Sequence, residues 1–167
     1  MTNVIHSYAE ISPDGLYRYS LGRVVDHPGI KALWIGVNPS TADGYQDDQS
    51  IRKLYGFGQR LGIREWMVGN LFAYRATNVE DLRWKTAFPV GDDCDRYLKL
   101  MIERADRVIV GWGRIDKVPV TLRYRVSEVA ELVLAAGKHM MCWGTCQDGH
   151  PRHPLMVAYS TPLEPWE

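Results

Sequence analysis

Four short stretches carry residue types that can do chemistry, and each follows an apolar run. In Gly36-Val37-Asn38-Pro39-Ser40-Thr41-Ala42-Asp43, an amide, two hydroxyls and a carboxylate stand where a strand must stop. Pro39 has no amide donor, and Ser, Thr and Asp favour turns. In Gly69-Asn70-Leu71-Phe72-Ala73-Tyr74-Arg75, Asn70 closes an apolar strand. A buried amide needs partners for its donor and its acceptor, and the edge of a base supplies both. A capping turn and an Asn bonded to loop backbone explain these two stretches equally well. Val108-Ile109-Val110-Gly111-Trp112-Gly113 ends in a glycine turn that lets a backbone or ligand come close, a weak signal by itself. Gly149-His150-Pro151-Arg152-His153-Pro154-Leu155 fixes two histidines between prolines. Imidazole can donate a proton or a hydrogen bond near neutrality, and a rigid turn reduces the freedom lost in positioning it.

The elements that must hold these stretches follow from periodicity. Ala32 to Val37, Trp66 to Leu71, Arg107 to Trp112 and His139 to Trp143 read as buried parallel strands at βαβ-like spacing. Between them, Asp48 can cap a helix burying Ile51, Leu54, Tyr55 and Leu61, and Asp92 one burying Leu98, Met101, Ile102 and Ala105. A third helix is predicted from about Thr121 to Ala136, with Leu122, Val126, Val129 and Val133 inward and Gly137 ending it. The predicted fold is α/β: a three-layer α/β/α sandwich around a central, mainly parallel four-stranded sheet, in one domain spanning residues 1–167. Tyr17 to Val25 and Leu155 to Tyr159 are candidate peripheral strands. An open sheet of this kind places its ligand beyond the carboxyl ends of its strands, where all four stretches lie.

Composition sets limits on function. With 20 Lys+Arg against 20 Asp+Glu, binding of nucleic acid must come from a local patch and not from overall charge. Arg114, Lys117, Arg123 and Arg125 after the third strand, and Arg152 in the fourth loop, are candidates for phosphate contacts. No apolar stretch approaches a membrane span, and residues 1–10 have no signal-like core, so a cytoplasmic protein without membrane association is expected. Cys94, Cys142 and Cys146 are too few for a disulfide framework and fit reduced thiols.

The order of the motifs GVNPS, GNLFAYRAT, VIVGWG and HPRHPL resembles the uracil-DNA glycosylase superfamily, over about Leu33 to Met156. The GVNP form is most similar to the mismatch-specific branch, and the NPSTAD and HPL signatures also resemble an uncharacterised bacterial and phage family. The resemblance implies a DNA glycosylase that flips a pyrimidine out of DNA and hydrolyses its N-glycosidic bond. It gives Asn38 the role of orienting the attacking water, and it gives Asn70 the base edge. His150 or His153 would stabilise the departing base; both match, because the loop has one residue more than the His-Pro-Ser-Pro-Leu form. Gly36, Ser40, Thr41 and Phe72 would complete the base pocket. Leu155 would fill the hole left in the duplex, with Arg114 and Arg152 on DNA. Asp43, Asp47 or Asp48 could add a carboxylate if water needs more than an amide.

Ser40 stands where the uracil-specific enzymes carry a tyrosine that presses on C5 of the base. A C5-substituted pyrimidine, such as a hydroxymethylated or glucosylated cytosine of phage DNA, is therefore the expected substrate. If Tyr45 or Phe72 refills the space, a uracil or mismatch enzyme is expected instead. No cofactor or metal is expected: the iron–sulfur branches need four cysteines. The partner is DNA and the chain is expected to be a monomer. Two rivals remain, a zinc site built from His139, Cys142, Cys146, His150 and His153, and a protein that binds a nucleotide or flipped base without cleaving it.

Overall fold

The four apolar runs form adjacent parallel strands in the computed structural model, which describes residues 2–167. In chain order the strands are β1 (Val4–Ile11), β2 (Arg18–Val25), β3 (Ile30–Gly36), β4 (Ile63–Asn70), β5 (Arg107–Val110), β6 (Met140–Cys142) and β7 (Glu164–Pro165). The helices are α1 (Gln49–Leu61), α2 (Asp81–Trp84), α3 (Cys94–Arg104) and α4 (Arg125–Ala135). One sheet contains all seven strands in the order β1-β2-β4-β3-β5-β6-β7. Its centre is parallel, while β1, β2 and β7 run antiparallel to their neighbours.

The sheet is therefore mixed and seven-stranded, which corrects the expectation of four mainly parallel strands. β1 escaped notice because it is an edge strand with no fully buried residue, so it lacks a clean apolar alternation. β2 is not peripheral: it lies between β1 and β4 and is buried along most of its length. The proposed strand at Leu155 to Tyr159 does not form. Pro154–Met156 is a 3-10 turn with proline in its first turn and the His153 side chain accepting from the Leu155 amide.

Side-chain alternation along the strands feeds two buried clusters. Leu33 and Ile35 of β3 join α3 and α4 residues, including Leu98, Ile102, Val129 and Val133, in one of them. Ala32 and Trp34 join Ile51, Leu54 and Phe57 of α1 in the other. α1 begins at Asp48, whose Oδ1 accepts from the Ile51 amide at 2.9 Å, and stops at Gly62 with φ 65°. For α3 the cap is Asp93 without a side-chain bond, not Asp92, and α4 begins at Arg125 after a 3-10 turn at Val120–Leu122, not at Thr121. No helix among the described residues is long and apolar enough to cross a membrane.

Candidate functional site

The chain passes from β3 to β4 on one side, then crosses back to place β5 on the other side of β3. That reversal leaves a crevice beyond the carboxyl ends of these strands. A cavity of about 360 Å³ lies there, within the usual range for a small-ligand site. Asn38 and Ser40 after β3, Asn70 at the end of β4, Trp112 and Gly113 after β5, and His153 and Leu155 of the last loop all line it.

The partners of each polar group decide what it offers. Asn38 Nδ2 donates to the carbonyls of Ala76 at 2.7 Å and Pro39 at 3.1 Å. Those two acceptors fix the amide's orientation and leave Oδ1 as the end available to accept from a ligand or water. Asn70 Oδ1 accepts from Arg18 Nη2 at 3.3 Å, so the amino end of this amide is the one left to donate. His153 Nδ1 accepts from the Leu155 amide at 3.2 Å, and the hydrogen of a neutral ring must then sit on Nε2. Burial pushes the His153 pKa down to about 4, against a smaller opposing pull from Asp48, so the ring is neutral at ordinary pH.

Several expected members stand elsewhere. His150 is not part of the cavity wall; its Nδ1 accepts from Trp112 Nε1 at 3.1 Å, and its ring lies beside Trp166. Of the two histidines, His153 is thus the one in the cavity. Phe72 is 0% exposed in the core, and Tyr45 is 99% exposed in solvent; neither lines the cavity. Gly36 lies beneath the wall. A Cβ there would come within 2.9 Å of the Trp34 ring and 3.1 Å of Asn70 Nδ2, so its lack of a side chain lets those two groups pack together. Thr41 lines a neighbouring cavity of about 470 Å³ with Arg75, Asp81 and Lys85, and Ser40, Ala76 and Thr77 line both.

Among the basic candidates, Arg114 and Lys117 line the cavity and are exposed, while Arg152 is exposed but donates to Thr145 O away from it. Arg125 is no surface residue. It is buried and binds Leu71 O, Asp95 and Glu128, tying the end of β4 to α3 and α4. Arg123 is occupied by the Val118 and Asp116 carbonyls. Leu155, 42% exposed, stands at the rim. Of the three carboxylates, Asp43 is bound within its own turn and Asp47 pairs with Arg23 and Tyr55, leaving Asp48 as the one on the cavity wall. No group of three or more His, Cys, Asp or Glu converges among the described residues, so the zinc-site residues are not gathered into one.

Sequence reasoning missed Arg18 and Trp34. β2 is antiparallel to β4, so its first residue lies beside the carboxyl end of β4, and Arg18 N donates to Ala73 O at 2.9 Å. No local sequence signal marks Arg18: β2 carries a second arginine, Arg23, and the burial of both follows from the pairing of β2 with its neighbours. Trp34 lies edge-on to the His153 ring, 5.5 Å between centroids.

A family model described as protein of unknown function (DUF1643) matches residues 18–155, which takes in every residue of the cavity wall except Met156. No curated protein and no solved structure matches the chain.

Proposed function

The chain belongs to DUF1643, a family of proteins of unknown function, and we propose that it is a DNA glycosylase acting on a flipped pyrimidine. One observation carries the reading: Asn38, Asn70 and His153, from three separate segments, face one cavity with their polarities fixed by their own partners.

In this reading Asn38 Oδ1 accepts a hydrogen bond from the attacking water and orients it towards C1′ of the sugar. Asp48 stands on the same wall to take up the positive charge or the proton that the step releases. Asn70 Nδ2 donates to an acceptor on the base edge. His153 Nε2–H, neutral and preorganised, donates to the base oxygen on which negative charge develops. Leu155 at the rim occupies the stack vacated by the flipped base, and Arg114 and Lys117 meet phosphates. We read the supporting scaffold as three-layered, because α1 shares one buried cluster with the sheet and α3 with α4 share the other.

The substrate class follows from Ser40. Neither Tyr45 nor Phe72 refills the space beside it, and the second cavity opens across Ser40 and Thr77. A substituent at C5 of the pyrimidine, up to a hydroxymethyl or glucosylated hydroxymethyl group, has room there and polar partners in Thr41, Arg75 and Lys85. This supports a role in removing modified cytosine from phage DNA. The test compares single-turnover release from matched oligonucleotides carrying uracil, 5-hydroxymethylcytosine and its glucosylated form. The modified bases should be released faster, and Ser40→Tyr should abolish action on them selectively. Release of uracil alone would defeat the substrate assignment.

A further inference from the structure

Arg18 is 3% exposed, yet it bonds no carboxylate. Nη1 donates to Ala42 O at 2.9 Å and Nη2 to Asn70 Oδ1 at 3.3 Å, while Nε has no partner among the described residues. Trp34, another residue of the cavity wall, also has a buried Nε1 without an acceptor, packed against Gly111. Asp48 and Asp43 are near enough to favour the charge, but a guanidinium removed from water without a hydrogen-bonded carboxylate is still unfavourable, and an orphaned donor adds to the cost. A structural role accounts for the bonds to Ala42 and Asn70; it leaves the free Nε donor on the cavity wall unexplained.

We infer that Arg18, with the Asn70 amide it orients, receives the negative charge that gathers on the departing base. The inference rests on the reading of the cavity as a glycosidic-bond site. When the C1′–N bond breaks, its electron pair stays on the base. The oxygen of a water bonds C1′ and gives up one proton, by way of Asp48, to solvent, and the freed base takes a proton from solvent. No oxidant or reductant enters. Donors to a growing anion strengthen as the charge grows, and they do so most where water is excluded. His153 is neutral, and Arg114 and Lys117 are exposed and therefore screened. Arg18 is the buried cation of the cavity wall. Burial draws its pKa down only to about 10, so it stays charged throughout the working range.

The site should therefore prefer a ligand whose edge is anionic, and this is measurable without any cleavage. The probes are free 5-nitrouracil, ionised near neutrality, and free 5-hydroxymethyluracil, which is neutral and of similar bulk. Trp34 and Trp112 on the cavity wall provide the fluorescence readout. Wild-type protein should bind the anion about tenfold or more tightly, Arg18→Lys should keep most of that preference, and Arg18→Met should lose it. Equal affinities in the wild type, a result that needs no variant to fold, would overturn the inference, as would full preference in Arg18→Met. On DNA, Arg18→Met should slow uracil release about 100-fold but release of 5-fluorouracil, a better leaving group, only about tenfold. An equal loss on both bases marks a merely structural role. Anion preference in a protein that releases no base leaves Arg18 as an anion-binding group and removes the glycosylase reading; base release without anion preference does the reverse.

Discussion

At the scale of single residues, the structure separates two histidines that the sequence could not. His153→Ala should lower the single-turnover rate about 100-fold or more, the range for losing a transition-state donor, while His150→Ala should stay within a few-fold of wild type. Comparable losses in both variants would return the ambiguity. The neutral state of His153 has its own signature. Its folded pKa, about 4, is below the ordinary value, so between about 6.5 and 4 the unfolded chain binds a proton that the native ring does not. The contribution of His153 to stability must therefore fall as pH drops through that window and level off below it, where the depressed carboxylates Asp14, Asp43 and Asp148 take over the loss. His153→Gln should flatten that part of the profile of melting temperature against pH. Asn38→Ala should lose most base release, about 100-fold, while keeping DNA affinity, because the proposed mechanism has the amide act on water and not on the duplex. Undiminished turnover in that variant would remove Asn38 from the mechanism.

At the scale of elements, the cavity depends on how helix and strand ends are finished. Asp48 both caps α1 and stands on the wall, and Asn is an equally good cap. Asp48→Ala should cost about 1 kcal/mol of stability, whereas Asp48→Asn should retain it and lower the rate only if the carboxylate serves the reaction. Paired melting curves and single-turnover rates separate the two roles. Gly111 is a second such point: a Cβ there would lie 2.7 Å from Trp34 Nε1 and 3.1 Å from Arg152 O. Gly111→Ala should therefore destabilise by about 1–3 kcal/mol through overpacking, seen as a lower denaturant midpoint. The parallel strands were legible because each is a continuous apolar run, buried on both faces, at the spacing that a crossover helix demands. β1 and β7 were not: one is half-exposed and the other two residues long, and neither leaves a periodic trace. The motif loops were legible because strand ends are marked by proline and glycine. Arg18 and Trp34 were not, since nothing local tells a buried arginine from a solvated one; its burial comes from β2 pairing with β4, a contact distant in sequence.

At the scale of the whole molecule, equal numbers of acidic and basic residues mean that the proposed affinity for DNA must rest on a local surface. The double variant Arg114→Ala/Lys117→Ala should reduce the slope of log affinity against log salt by about 1–2, with little effect on base release at saturating protein. An unchanged slope would move the DNA surface elsewhere. The same fold could hold a base without cutting it, because architecture does not specify reaction. The measurement that separates these is a single incubation of the wild-type protein with a panel of DNAs carrying natural and C5-modified pyrimidines. Free base is read by mass spectrometry, and alkali-labile sites are counted in the same sample. A glycosylase of this kind releases base and leaves abasic sites in equal amounts from at least one modified pyrimidine; tight binding with neither product would contradict the proposed function.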